Sequence, residues 1–229
     1  MDTGAEARIA AWLGREADGI PRELPVTILA EEASPDATPG PGITYVIDPL
    51  DGTTNFLHGF PWYAVSIAAL LDGVPVAGVV LNVANGELFA ATRGGGATRD
   101  GAPIRVSTID DPARALLGTG FPFRDAAHVG PYLAALPAIM TATAGLRRAG
   151  SAALDLCDVA CGRFEGFWEL RLGPWDFAAG ALIATEAGAL VTDMRGAPLE
   201  TRHSSVLAAN PSMHAWLRER LKPALAAAS

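Results

Sequence analysis

The stretch Asp48-Pro49-Leu50-Asp51-Gly52-Thr53-Thr54-Asn55-Phe56 places two carboxylates three residues apart, around a proline and just ahead of a glycine. An apolar run from Ile43 to Ile47 reads as a strand that ends at Asp48, and Pro49 bars simple continuation of either a ladder or a helix. Both carboxylates can then face one point. Hard cations such as Mg²⁺ take oxygen ligands at about 2.0 to 2.1 Å, and a tight turn can add the Leu50 carbonyl to the same set. Gly52 permits close approach of the backbone, and the amides of Gly52 and Thr53 open a helix, a setting that suits phosphate oxygens. For a D-x-x-D met alone, an Asx-type turn that caps a helix is the simpler reading. Here more acid must be explained. Glu31 and Glu32 end the strand Val26–Ala30, and Asp176 opens a helix far downstream after Pro174-Trp175. Unpaired carboxylates brought together repel and raise one another's pKa, so three acidic element ends at one place imply a cation.

The elements that must position these acids read as follows. A helix begins at Thr3, and Ala64 to Ala84 is a buried hairpin turning at Asp72-Gly73 rather than a membrane span. Strands are expected at 87–92 and, after Asp100-Gly101, at Ile104–Ser107, with Gly94 to Gly96 as a connection that lacks the features of a phosphate or dinucleotide loop. Beyond them come a strand at Ala115–Thr119, helices at His128–Ala144 and Ser151–Cys161, a strand at Phe164–Leu170 and a helix at Pro174–Ala187. Strands at Leu190–Asp193 and Val206–Ala209 follow, and Asn210-Pro211 caps a last helix through Leu221. The alternation predicts α/β or α+β layers in which helices cover sheets. With 229 residues and no evident linker, it predicts one domain, residues 1–110 forming a sheet-rich metal and phosphate half and 111–229 an α/β substrate half.

Composition narrows the function. A formal net charge of −8 argues against a general nucleic-acid binder or an anionic-membrane binder, both of which need a basic surface. Cys157 and Cys161, the two cysteines of the sequence, share one face of a helix without disulfide geometry, and no further ligand stands at zinc spacing. Together with a start that has no secretion pattern, this predicts a reducing cytoplasm. His58, His128, His203 and His214 are scattered without triad context and are read as structural or exposed.

Glu31-Glu32, Asp48 to Phe56, and Trp175-Asp176-Phe177-Ala178-Ala179-Gly180 together resemble the three signature blocks of the inositol monophosphatase family, in the family's order. Weaker likeness runs through Gly59-Phe60-Pro61, Arg93 to Ala97, Gly150 to Ala153 and Ala208-Ala209-Asn210, and Arg147-Arg148 with Phe167-Trp168-Glu169 leans toward bacterial members. The resemblance implies a layered sandwich of alternating helices and sheets, a homodimer, inhibition by lithium, and two or three Mg²⁺ ions. It assigns Glu31, Asp48 and the Leu50 carbonyl to one ion, and Asp48, Asp51 and Asp176 to a second. It gives Glu31 and Thr53 the attacking water, with Asp2 supporting the threonine or simply capping a helix. Gly52 and Thr53 would hold phosphate, and Glu169, Gly150, Ser151 and Ala152 would meet the substrate, with Asp51 and Asp176 also beside it. The activity implied is Mg²⁺-dependent hydrolysis of a small phosphorylated polyol, with myo-inositol 1-phosphate first. Histidinol phosphate, fructose 1,6-bisphosphate and adenosine 3′,5′-bisphosphate are alternatives, as is a weakly active scaffold of the kind implicated in RNA-polymerase complexes. The chain departs from the family by starting at the acid matched by Asp2, without the helix that usually precedes it and helps build a third metal site.

Overall fold

The computed structural model describes residues 3–16, 25–31, 34, 38–123 and 126–225. Among these, one sheet runs in the order β1(Val26–Ala30), β2(Ile43–Asp51), β3(Ala64–Leu71), β4(Val74–Asn82), β5(Leu88–Thr92), β6(Gly96–Arg99), β7(Ala102–Pro103). A second sheet is ordered β11(Leu190–Thr192), β12(Ser204–Ala209), β10(Gly166–Leu172), β8(Leu116–Thr119), β9(Gly145–Arg147). Helices α4(Ala152–Ala160) and α5(Pro174–Glu186) pack on both sheets and form the middle layer. Helices α3(Ala126–Met140), α6(Pro211–Arg220) and α7(Lys222–Leu225) cover the far side of the second sheet, and α1(Thr3–Glu16) lies against β1 and β2. Helix α2(Thr53–Leu57) is a single turn after β2. This is the layered α/β sandwich expected, and no helix among the described residues is long and apolar enough to cross a membrane.

Side-chain alternation decides which sheet faces are dry. In β10 and β12, Phe167, Val206 and Ala208 belong to the core shared with α4 and α5, while Trp168, Leu207 and Ala209 belong to the core shared with α3 and α6. Both faces are covered, which is why these strands read as unbroken apolar runs. In β3, by contrast, Ala64, Ser66, Ala68 and Leu70 are buried and the residues between them are half-buried, the period-two signature of a sheet with one fully packed face.

Turn chemistry holds where expected and fails in one place. Asp72 and Gly73 have φ of 51° and 80°, both left-handed as a two-residue hairpin turn requires, and Leu71 pairs with Val74 across it. Asp100 and Gly101 turn in the same way at 52° and 78°. After them the ladder stops at Pro103, however, so the strand expected at Ile104–Ser107 is absent. The Ile104 amide still donates to the Ala97 carbonyl of β6 at 3.0 Å, but Val106 donates to the Ala187 carbonyl just past α5, which draws the chain off the sheet. Likewise α3 ends at Met140 rather than Ala144, and the unforeseen β9 follows at Gly145. The Gly94 to Gly96 run is a connection, in which the amides of Gly94 and Gly96 donate to the Glu186 carboxylate at 2.8 and 3.0 Å.

The middle layer should carry much of the stability. Ile183 of α5 is fully buried between the sheets, and Ile183→Ala is expected to cost about 2 to 5 kcal/mol in urea unfolding, as a deleted core side chain does. A cost under about 1 kcal/mol would show that α5 does not knit the two sheets together.

Candidate metal and phosphate site

Strand pairing brings the first acids together. Strands β1 and β2 are parallel with Ala30 opposite Ile47, so Glu31 and Asp48 leave the sheet at the same end. Within β2 the pairing with β3 slips: Asp48 lies opposite Ser66 and Asp51 opposite Ala64, so Pro49 and Leu50 together face one partner residue. Without that bulge, residues three apart would point to opposite faces; the extra residue returns Asp51 to the face of Asp48. The amide of Leu50 donates to Asp48 Oδ1 at 2.9 Å and holds the turn.

Two helix starts complete the cluster. The Asp51 Oδ2 atom accepts from the Ser151 hydroxyl at 2.6 Å and from the Ala153 amide at 2.8 Å, both in the first turn of α4. Ser151 Oγ is also the N-cap of that helix, accepting from the Leu154 amide at 3.3 Å. Asp176 lies in the first turn of α5, where its Oδ2 accepts from the Gly173 amide at 2.7 Å. The Ser66 hydroxyl donates to the Trp175 carbonyl at 3.3 Å and ties this helix start to β3. One carboxylate oxygen from each of Asp48, Asp51 and Asp176 falls within 4.8 Å of the others.

Neither helix dipoles nor amide donors make this arrangement comfortable for bare anions. Burial, with repulsion from Asp51, Asp176 and Glu31 added, pushes the Asp48 carboxyl up to about 9. Burial takes Asp51 to about 6 against the opposing pull of its Ser151, Ala153 and Gly52 donors and Arg148. Asp176 is driven well above the usual carboxylate range, by burial first and then by Asp51. Three oxygen donors, desolvated and mutually repelling, are a donor set for a hard divalent cation, whose charge removes the penalty that otherwise forces protons onto them.

A cavity of about 500 Å³ opens above the aspartates. Glu31, Leu50, Gly52, Thr53, Gly150 and Ala152 contribute to its lining, as does Glu169. Glu31 is exposed on the turn after β1. Thr53 Oγ1 donates to the Leu50 carbonyl at 3.0 Å, which leaves that oxygen a second lone pair. Gly52 has φ of 89°, and a Cβ there would come within 3.0 Å of the Trp62 carbonyl oxygen and 3.2 Å of the Gly150 carbonyl oxygen, so no other residue fits without strain. Ser151 differs from its neighbours: it is buried, is not among the cavity-lining residues, and is turned to Asp51. Asp2 and Glu32 lie outside the described residues.

Several lining residues were not singled out from the sequence. Phe121, Phe123, Arg148 and Arg171 all face the cavity, and the Arg148 guanidinium stacks over Phe123 at 4.9 Å. Their signals were faint: an arginine three residues before a helix cap, and two aromatics around Pro122 just past a strand end. Arg171 sits at a register shift in β10 with φ of 59°, a backbone state that sequence reading does not reveal. None of the four histidines contributes to the lining; His214 bonds Thr192 Oγ1 at 2.9 Å and His203 lies edge-on to Trp175.

A pH dependence follows for the protein freed of metal by a chelator. The folded Asp48 and Asp51 carboxyls keep their protons up to about 9 and about 6, whereas the ordinary aspartate value is 3.8. The folded chain therefore binds more protons than the unfolded one from about pH 4 upward, and these groups make stability fall as pH rises through that window. The melting temperature in chelator is expected to drop from pH 5 to pH 8.5, and added Mg²⁺ to raise it more at pH 8.5 than at pH 5. A chelated protein that melts higher at pH 8.5 would contradict the assigned burial.

Comparison with known proteins agrees with this geometry. Residues 16–227 match the model of the Inositol monophosphatase family. The chain is 45% identical over 229 residues to the Nus factor SuhB of Pseudomonas aeruginosa, covering 98% of this chain and 82% of that protein. It is also 45% identical over 183 residues to an inositol-1-monophosphatase of Mesorhizobium japonicum, covering 80% and 69%. The crystal structure of extragenic suppressor protein suhB from Bartonella henselae superposes with a TM-score of 0.84 at 40% identity, covering 95% of this chain and 81% of that one. With the sequence blocks, the layered fold and the aspartate cluster all in agreement, the chain belongs to the inositol monophosphatase family.

Proposed function

We propose that this protein hydrolyses a small phosphorylated polyol in the presence of Mg²⁺, with myo-inositol 1-phosphate as the leading substrate. The observation that carries this reading is the cluster of buried Asp48 and Asp51 with half-buried Asp176 at a cavity that also holds Glu169 and Arg148. Asp48, Asp51 and Asp176 would hold one magnesium ion, and Asp48 with Glu31 and the Leu50 carbonyl a second. When bound, such ions supply Lewis-acid charge to phosphoryl oxygens and make water a better nucleophile at neutral pH.

The remaining work falls to side chains. Glu31 and the Thr53 hydroxyl orient the attacking water and the Glu31 carboxylate accepts its proton, a division of labour suited to an exposed acid and a hydroxyl anchored on Leu50. Gly52 and Thr53, at the start of α2, hold the phosphate. Ser151 acts through Asp51, whose orientation it fixes. Glu169, pushed up to about 7 chiefly by burial, accepts hydrogen bonds from substrate hydroxyls when ionised, and Arg148 favours that form. Outside the metal cluster the cavity wall carries Glu169 together with Arg148 and Arg171, and its carboxylate suits the hydroxyl donors of a polyol.

Phosphate release from myo-inositol 1-phosphate, with and without Mg²⁺, tests the reading, and no turnover of any polyol phosphate would reject it. Asp176→Asn should lower turnover by about 10²-fold or more, the order expected when one positioned charge is lost from the reacting centre. Its fold should survive, because an amide oxygen can still accept from Gly173 and one repelling charge is gone. Wild-type rates in that variant would remove Asp176 from the site.

The name Nus factor carried by the Pseudomonas relative supports a second reading, in which the chain acts by binding a partner. An Asp51→Asn protein that retains full cellular function after losing turnover would favour it.

A further inference from the structure

Gly120 follows β8 and is buried. Strands β8 and β10 are parallel with Thr119 opposite Trp168, so Gly120 stands beside Glu169, and its amide donates to the Trp168 carbonyl at 3.3 Å. A Cβ built on Gly120 would lie 1.9 Å from Glu169 Cδ, 2.0 Å from Oε1 and 2.1 Å from Oε2. The carboxylate therefore occupies the volume that any other residue's side chain would fill. Conformation does not demand glycine here, since the φ of Gly120 lies outside the left-handed region. Space does.

The rest of the slot is fixed around this gap. The Thr119 hydroxyl donates to the Trp168 carbonyl at 3.0 Å and also meets the Tyr132 hydroxyl, which locks the strand end. Tyr132 in turn lies edge-on to Phe121, the residue after Gly120, at 5.7 Å. We propose that Gly120 is a positioning residue for substrate specificity: its missing side chain forms the slot that pins the Glu169 carboxylate in the cavity, ready to accept hydrogen bonds from substrate hydroxyls. This rests on the reading that Glu169 meets those hydroxyls. A side chain at 120 would evict the carboxylate without breaking the backbone, because the clashing atoms are the far end of a flexible side chain.

The test compares the full chain, G120A, E169A and the G120A/E169A double variant on myo-inositol 1-phosphate and on phenyl phosphate, which has no ring hydroxyls, with Mg²⁺ present. G120A should raise KM for the inositol ester by about tenfold or more, the scale of a lost hydrogen bond to a charged group, with a smaller change for phenyl phosphate. Added to E169A, the same substitution should change KM by less than about twofold, since the clashing group is already gone. A wild-type KM in G120A, or a loss that persists in full beside E169A, overturns the proposal.

A second readout does not depend on turnover. By ¹³C NMR of the magnesium-free protein, the Glu169 carboxyl should titrate near 7 in the wild type and move toward the ordinary 4.5 in G120A as the carboxylate leaves its slot. An unchanged midpoint overturns the slot. If the wild type hydrolyses neither ester, the substrate reading has failed and this titration alone decides the geometry. Should G120A fail to fold, a folded double variant shows the steric coupling; a double variant that is also unfolded shows that Gly120 serves the backbone, against the proposal.

Discussion

Repulsion among buried carboxylates is the constraint around which this molecule is arranged. Water screens Asp48, Asp51 and Asp176 only weakly, because the first two are buried and the third is half-buried at the foot of the cavity. Left alone, such groups take up protons and become poor ligands. The fold answers with donors: the Leu50, Ala153 and Gly173 amides and the Ser151 hydroxyl each meet one of these carboxylates. Those donors orient the oxygens without cancelling the charge. A divalent cation cancels it, so the same burial that penalises the metal-free state prepares the site for metal.

Three structural devices meet at that point, and each comes from a different scale of the fold. The bulge at Pro49-Leu50 is local and sets Asp51 on the face of Asp48. Parallel pairing of β1 with β2 works at the level of the sheet and places Glu31 at the same edge. The middle layer works at the level of the whole fold, because α4 and α5, held between the two sheets, direct their first turns at the cluster. The second sheet contributes Glu169 on β10, so the acids that line the cavity come from both sheets and from the helical layer between them.

Much of this was legible in the sequence, for identifiable reasons. The end of β1 was visible because its apolar run stops at acids, and Pro49 announced an irregularity in the ladder, although β2 runs on through a bulge to Asp51 rather than ending at Asp48. The helix starts were visible from Ser151, Pro174 and Asn210, residues whose backbone preferences are strong. What escaped notice depends on distant contacts. Ser151 was read as meeting the substrate, yet its hydroxyl is buried against a residue one hundred positions away. The strand expected at Ile104–Ser107 was lost to the competing carbonyl of Ala187. The wall of Phe121, Phe123 and Arg148 carries no local signature, since only the tertiary fold brings position 148 to position 123. The space beside Gly120 is invisible for the same reason: a glycine without an unusual φ looks like any other in a sequence.

Because Asp48 retains a proton at neutral pH in the metal-free protein, a cation that binds there must displace it. Calorimetric titration of the chelator-treated protein with Mg²⁺ at pH 7, run in two buffers of different ionisation enthalpy, counts the protons released. The expected result is saturable binding with net proton release that is smaller in Asp48→Asn. Binding with no proton release, or binding equally tight in that variant, would contradict a buried, cation-dependent aspartate cluster.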